Sequence, residues 1–94
     1  APAKLPVPRA GNGSVVVGNQ IIIIGGESAA QRVAHNDVDA YNTNTGEFSK
    51  LPPLVAGRHA VGAIYYDKKL YTCAGVGNSG GAPLLSSIEV FDKE

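Results

Sequence analysis

The chain has 94 residues, of which 44% are hydrophobic and 17% charged, and its eight basic residues balance its eight acidic ones. A zero net charge, no apolar run of about 18 residues and no signal-peptide layout argue against binding to nucleic acid, crossing a membrane or export. The single cysteine excludes an internal disulfide framework and any zinc site built on two or more cysteines. Because methionine is absent even at position 1, we expect a processed product or an excerpt of a longer chain.

Short β-rich runs separated by glycine, proline, asparagine and aspartate dominate the chain, and no stretch shows a sustained helical period. The runs predict seven strands, in chain order Ser14–Val17, Ile21–Ile24, Val38–Tyr41, Phe48–Leu51, Val61–Tyr66, Leu70–Ala74 and Ile88–Phe91. Two-residue links at Gly18-Asn19 and Asp67-Lys68 predict tight hairpins with positive φ. The sequence therefore predicts an all-β fold made of antiparallel strands.

The chain also repeats itself. A displacement of 49 residues aligns Arg9 with Arg58, Gly13 with Gly62, Val15 with Ile64, Ile21 with Leu70, Ile24 with Cys73 and Gly26 with Gly75. A displacement of 50 aligns Val38 with Ile88, Asp39 with Glu89 and Tyr41 with Phe91. A period near 50 residues is typical of propeller blades rather than of helical solenoids.

The repeated residues resemble the kelch family of β-propellers. The run Ile21–Ile24 ends in Gly25-Gly26, Tyr41 follows, and Phe48 stands seven residues later, where the family has a tryptophan. The second copy departs further, with Ala74-Gly75 for the glycine pair and Phe91 for the tyrosine. The resemblance implies two kelch-like four-stranded antiparallel blades that form part of a β-propeller of about six blades.

The resemblance also implies how the chain divides. Residues 1–6 are expected to be an outer strand completing another blade, 7–54 the first blade, and 55–94 a second blade without its own outer strand. Two open blade faces would expose roughly 600 Å² of largely apolar sheet, as much as the largest patch on a typical monomer. We therefore expect further blades against this chain, from a parent chain, from other chains or from copies of itself. Three copies would close six blades.

The longer connections of each blade should lie at one end, where ligand-reading side chains usually occur. That end offers Glu27, Gln31, Arg32, His35, Asn36, Arg58, His59 and Asn78. The residues predicted to contact a ligand or partner are Arg32, His35, Asn36, Arg58, His59 and Asn78.

For several of these residues a purely structural role is an alternative to contact with a ligand. Arg9 and Arg58 recur, which also suits a structural hydrogen bond to loop carbonyls. His59 could simply begin a strand, and the loop holding Arg32 could simply be solvated. Cys73 aligns with Ile24 and is expected to be buried rather than nucleophilic.

Three functions remain open, because a fold does not decide among them. The first is a non-catalytic scaffold that binds a protein, or less often a glycan, through its long loops. The second is part of a kelch-fold enzyme, of the copper-radical oxidase or sialic-acid isomerase type, whose site other blades complete. The third is a self-assembling two-blade unit. The sequence predicts no catalytic residue, cofactor or metal of its own, and it leaves the compartment open, with the cytoplasm favoured over secretion.

Overall fold

The computed structural model describes residues 5, 8–28, 32–78 and 84–92. These residues form seven β-strands: β1 (Gly13–Val17), β2 (Gln20–Ile24), β3 (Val38–Asn42), β4 (Phe48–Lys50), β5 (Gly62–Tyr66), β6 (Lys69–Cys73) and β7 (Ile88–Asp92). Within them, no helix is long and apolar enough to cross a membrane.

The strands form two antiparallel sheets in which consecutive strands are neighbours. The first sheet has the order β1-β2-β3-β4 and the second the order β5-β6-β7. The all-β fold with antiparallel sheets, predicted from the sequence, is confirmed. The outer strand expected over residues 1–6 lies, apart from Leu5, outside the described residues.

Both tight hairpins have the positive backbone angles that the sequence predicts. Gly18 begins the β1–β2 turn with φ of 58°. In the β5–β6 turn, Asp67 and Lys68 both have positive φ, at 52° and 61°. A turn with positive φ at both central residues matches the twist of the strands it joins, but it is adopted without steric cost only by glycine.

The core lies between the two sheets. From the first sheet, Ile22 and Ile24 of β2 and Val38 and Ala40 of β3 are at most 1% exposed, and Leu70 of β6 packs against them from the second. The register explains the selection, because Ile22 pairs with Ala40 and Ile24 with Val38 and directly paired residues point to the same face. Alternate residues of both strands therefore face the second sheet.

The other face of each sheet is largely uncovered by the described residues, and this corrects one expectation. Cys73 is exposed rather than buried, although its repeat counterpart Ile24 is fully buried. The second sheet covers Ile24, whereas Cys73 points away from the first sheet. On the outward face of the first sheet, Ile21 and Ile23 of β2 are likewise only half-buried.

Two buried arginines bind corresponding places in the two repeats. Arg9 pairs with Asp39 at 3.0 Å, both side chains being fully buried, and its Nε donates to the carbonyl of Gly25. Arg58 pairs with Glu89 at 2.8 Å and donates to the carbonyl of Ala74. Each guanidinium also donates to the carbonyl two residues before its carboxylate, at Asp37 and Ser87 respectively. The sequence repeat thus corresponds to a repeated buried ion pair.

Candidate functional site

The long connections lie together at one end of the two sheets. There the Gly26 amide donates to the Arg58 carbonyl at 2.8 Å, and the Arg58 amide donates to the His35 carbonyl at 3.1 Å. The short turns meet at the opposite end, where the Thr43 amide donates to Asn19 at 2.8 Å. We call the first end the loop rim; it comprises residues 25–28, 32–37, 51–61, 74–78 and 84–87.

The six candidate contact residues divide into two groups. Arg32, Asn36 and Asn78 are exposed on the loop rim. His35, Arg58 and His59 are buried, at 5%, 0% and 6% exposure. Glu27 is half-buried, and Gln31 lies outside the described residues.

The structure brings the loops of the two repeats together. Val33 and Asn78 form a β-bridge, and the Ala34 amide donates to the Gly77 carbonyl at 3.0 Å. Val33 is 56% exposed, so an apolar side chain lies in solvent beside the exposed Asn78 and next in sequence to the exposed Arg32. Neither repeat alone could form this surface.

Arg58 is not available to a partner, which corrects its inclusion among the contact residues. Its Nη1 donates to the carbonyls of Ala74 and Ser87 at 3.0 and 2.9 Å, and its Nη2 to the Ser87 hydroxyl and the Glu89 carboxylate, both at 2.8 Å. Its Nε donates to the Ala56 carbonyl at 3.2 Å. A buried guanidinium requires such partners, because leaving its donors unsatisfied costs free energy.

Both histidines of the rim contact a carboxylate. His59 Nδ1 lies 3.4 Å from Glu27 Oε2. His35 Nδ1 lies 3.2 Å from Asp37 Oδ2, and its Nε2 lies 2.9 Å from the hydroxyl of Ser28. The two rings therefore lie within polar contacts rather than at the surface.

A shallow pocket of about 260 Å³ lies beside Asp37. Its lining consists of Asn36, Asp37, Val38, Lys50, Leu51 and Pro53. It is slightly smaller than the roughly 300–1,000 Å³ of typical small-molecule sites. Over the described parts of the chain, no group of three or more His, Cys, Asp or Glu side chains is arranged to hold a metal ion.

Sequence reasoning missed two polar residues of the rim, Ser28 and Asp37. Neither residue is among the candidates named from the sequence. The available signal was their absence from the second repeat, where the equivalent positions hold Gly77 and Ser87. Residues that differ between two copies of one fold are not required by that fold.

Comparison with known proteins gives consistent matches. The profile of the Kelch motif matches residues 8–55. An F-box/kelch-repeat protein of Arabidopsis thaliana is 29% identical over 82 residues, which cover 87% of this chain and 18% of that protein. A tRNA wybutosine-synthesizing protein 2/3/4 of Oryza sativa subsp. japonica is 30% identical over 90 residues, covering 93% of this chain and 8% of that protein. The chain thus spans less than a fifth of the length of these curated relatives.

Proposed function

Because the chain belongs to the kelch-repeat family, we propose that it is a protein-binding scaffold whose partner contacts the loop rim. The observation that carries the proposal is the surface formed by Arg32, Val33 and Asn78, to which both repeats contribute. An exposed arginine beside an exposed apolar side chain is a composition typical of protein interfaces. The small, open pocket beside Asp37 favours contact across a surface over enclosure of a small molecule.

The candidate contact residues are accordingly Arg32, Asn36 and Asn78, together with Val33, which forms a β-bridge with Asn78. His35 and His59 are left out, since both side chains are buried. The proposal leaves out Arg58, whose donors are all directed inward.

Photo-crosslinking tests the proposal directly. A benzophenone amino acid at position 33 should trap a partner, and the same group at Asn44, in the turn at the opposite end, should not. The trapped protein is identified by mass spectrometry, purified and titrated calorimetrically. We expect Arg32→Ala to weaken its binding about tenfold, which is the loss of a moderate interface residue.

The matched control is Thr45→Ala, an exposed substitution at the opposite end that should leave the affinity unchanged. Equal crosslinking at positions 33 and 44, or an unchanged affinity in the Arg32 variant, would contradict the rim as the contact surface.

We further propose that kelch repeats outside this chain complete the propeller. In this arrangement residues 7–54 and 55–94 are two blades and residues 1–6 supply an outer strand to another blade. The additional repeats come from a longer polypeptide or from further copies, three of which would give six blades. The uncovered apolar faces of the two sheets support this arrangement.

A further inference from the structure

Three polar side chains of the loop rim form a continuous chain of contacts. The hydroxyl of Ser28 lies 2.9 Å from His35 Nε2, and His35 Nδ1 lies 3.2 Å from Asp37 Oδ2. The imidazole thus lies between a hydroxyl and a carboxylate, each facing a different ring nitrogen. This is the arrangement that activates a serine in acyl transfer.

The proton positions follow from the partners. A carboxylate only accepts hydrogen bonds, so Asp37 accepts from Nδ1–H of His35. In the neutral ring Nε2 then carries a lone pair and accepts from the hydroxyl of Ser28. Asp37 therefore holds His35 in the tautomer that can take a proton from Ser28.

The fold does not require these side chains. In the second repeat the positions of Ser28, His35 and Asp37 are occupied by Gly77, Leu85 and Ser87, so neither of the two contacts can form there.

One backbone hydrogen bond of this loop is nevertheless common to both repeats. The amide of His35 donates to Gly26 at 2.8 Å, and the amide of Leu85 donates to Gly75, the counterpart of Gly26, at the same distance. This hydrogen bond therefore forms in the second repeat without a histidine. This contrasts with the buried arginine ion pairs, which occur in both repeats.

We propose that Ser28, His35 and Asp37 form a nucleophilic triad that hydrolyses small acyl esters at the loop rim. The hydroxyl of Ser28 attacks the ester carbonyl carbon while its proton passes to His35 Nε2. The carbon–oxygen bond to the leaving alcohol then breaks, and His35 returns the proton to that alcohol. Water, deprotonated by His35, attacks the acyl-serine, and the carboxylic acid leaves as Ser28 regains its proton.

The surroundings restrict the substrate. Ser28 is half-buried, so the residue is partly accessible to solvent. The site is an open rim rather than a deep cleft, which favours a small, activated ester over a long acyl chain. His35 is 5% exposed, which shields the proton-accepting ring from bulk water.

A fluorophosphonate probe tests the nucleophile independently of turnover. A phosphorus–oxygen bond forms at the serine, fluoride leaves, and His35 takes the hydroxyl proton. We expect peptide mass mapping to place the adduct on Ser28 and the Ser28→Ala variant to remain unlabelled at that peptide. Ser86→Ala is the matched control, because Ser86 is an exposed serine next to Leu85 in the equivalent loop; this variant should be labelled like the unmodified protein.

Hydrolysis of p-nitrophenyl acetate tests the two supporting residues. His35→Ala should lower the rate about 100-fold, the contribution of a positioned general base. Since His35 is buried and its loss could unfold the loop, Asp37→Asn provides a second variant: it preserves the size of a half-exposed side chain and should also slow both labelling and hydrolysis at least tenfold with an unchanged melting temperature. Labelling of Ser28 no faster than that of Ser86, or undiminished hydrolysis in the Ser28→Ala variant, would overturn the proposal.

Discussion

At the scale of single residues, the most constrained side chain is Arg58. It is fully buried, and Glu89, the carboxylate it pairs with, also accepts hydrogen bonds from the amides of Val55 and Ala56 at 2.7 and 3.0 Å. Arg58 and Glu89 together therefore connect the loop that precedes β5 to strand β7. The equivalent pair, Arg9 with Asp39, connects the loop that precedes β1 to strand β3.

Replacing one member of this pair should be costly. We expect Arg58→Met to lower the free energy of unfolding by about 3 kcal/mol, because it leaves a buried carboxylate without its counter-charge. Urea unfolding followed by circular dichroism measures the change. Arg32→Met is the matched control: its arginine is exposed, so it should shift stability by no more than about 0.5 kcal/mol.

A double-mutant cycle separates the ion pair from the packing of the arginine stem. If the pair carries the effect, Glu89→Gln should recover part of the loss in the Arg58→Met background. Additive losses would show that the two side chains stabilise the protein independently, contrary to this account.

At the scale of strands and loops, sequence patterns predicted the strands and turns, because these depend on residues close together in the chain. Runs such as Ile21–Ile24 predicted strands, and Gly18 and Asp67 predicted their turns. The pattern could not tell which face of each strand is covered, because that depends on the other sheet. Four isoleucines in succession carry no alternation, yet Ile22 is fully buried and Ile23 is not.

The same limit applies to the candidate site. Antiparallel alternation was sufficient to predict that the long loops share one end, and Arg32 and Asn78 are exposed there. The burial of His35 could not be predicted, because its partners Ser28 and Asp37 are set by the loop's path. No rule about the spacing of residues identifies such a group of three side chains in a single sequence.

Glycine requirements likewise follow from close approach between elements. Gly25 has φ of 66°, and a Cβ placed there would lie 2.2 Å from the Arg58 carbonyl oxygen. Its counterpart Ala74 has φ of 55° and carries a side chain in the same left-handed region. The neighbouring repeat thus requires a glycine at Gly25, whereas the equivalent position in the second repeat accepts Ala74.

The β5–β6 turn contains strain that a substitution can remove. Lys68 has φ of 61°, a conformation that costs a residue with a side chain roughly 1 kcal/mol. We expect Lys68→Gly to stabilise the protein by about 0.5 kcal/mol, since Asp-Gly is a preferred sequence for this turn and chain entropy offsets part of the gain. Thermal unfolding measures the shift, with Lys68→Ala as the control that retains a Cβ. Equal melting temperatures for the glycine and alanine variants would contradict strain at Lys68.

At the scale of the whole molecule, the two outward sheet faces correspond to the two surfaces that pack together between the sheets. On the second sheet, Ile88 and Val90 occupy the repeat positions of Val38 and Ala40. In the first sheet those residues are 1% exposed, whereas Ile88 is 61% exposed and Val90 51%. The outward face of the second sheet is thus equivalent to the face of the first sheet that packs against the second. A further repeat can pack on it in the same way. Because this contact joins unlike faces, it extends in one direction until a ring closes.

Ile88 distinguishes a covered face from a free one. If a further repeat packs on this face, Ile88→Lys buries an unpaired ammonium group and should cost about 3 kcal/mol or more, lowering the melting temperature of the protein by several degrees. Val55→Lys is the matched control, because Val55 is 96% exposed in the loop between the sheets and should tolerate the charge. Light scattering on the same samples shows whether the covering repeat belongs to another copy, in which case Ile88→Lys also lowers the mass of the assembly. If the Ile88 variant has the same melting temperature and the same mass by light scattering as the Val55 variant, this face is exposed to solvent rather than covered by a blade.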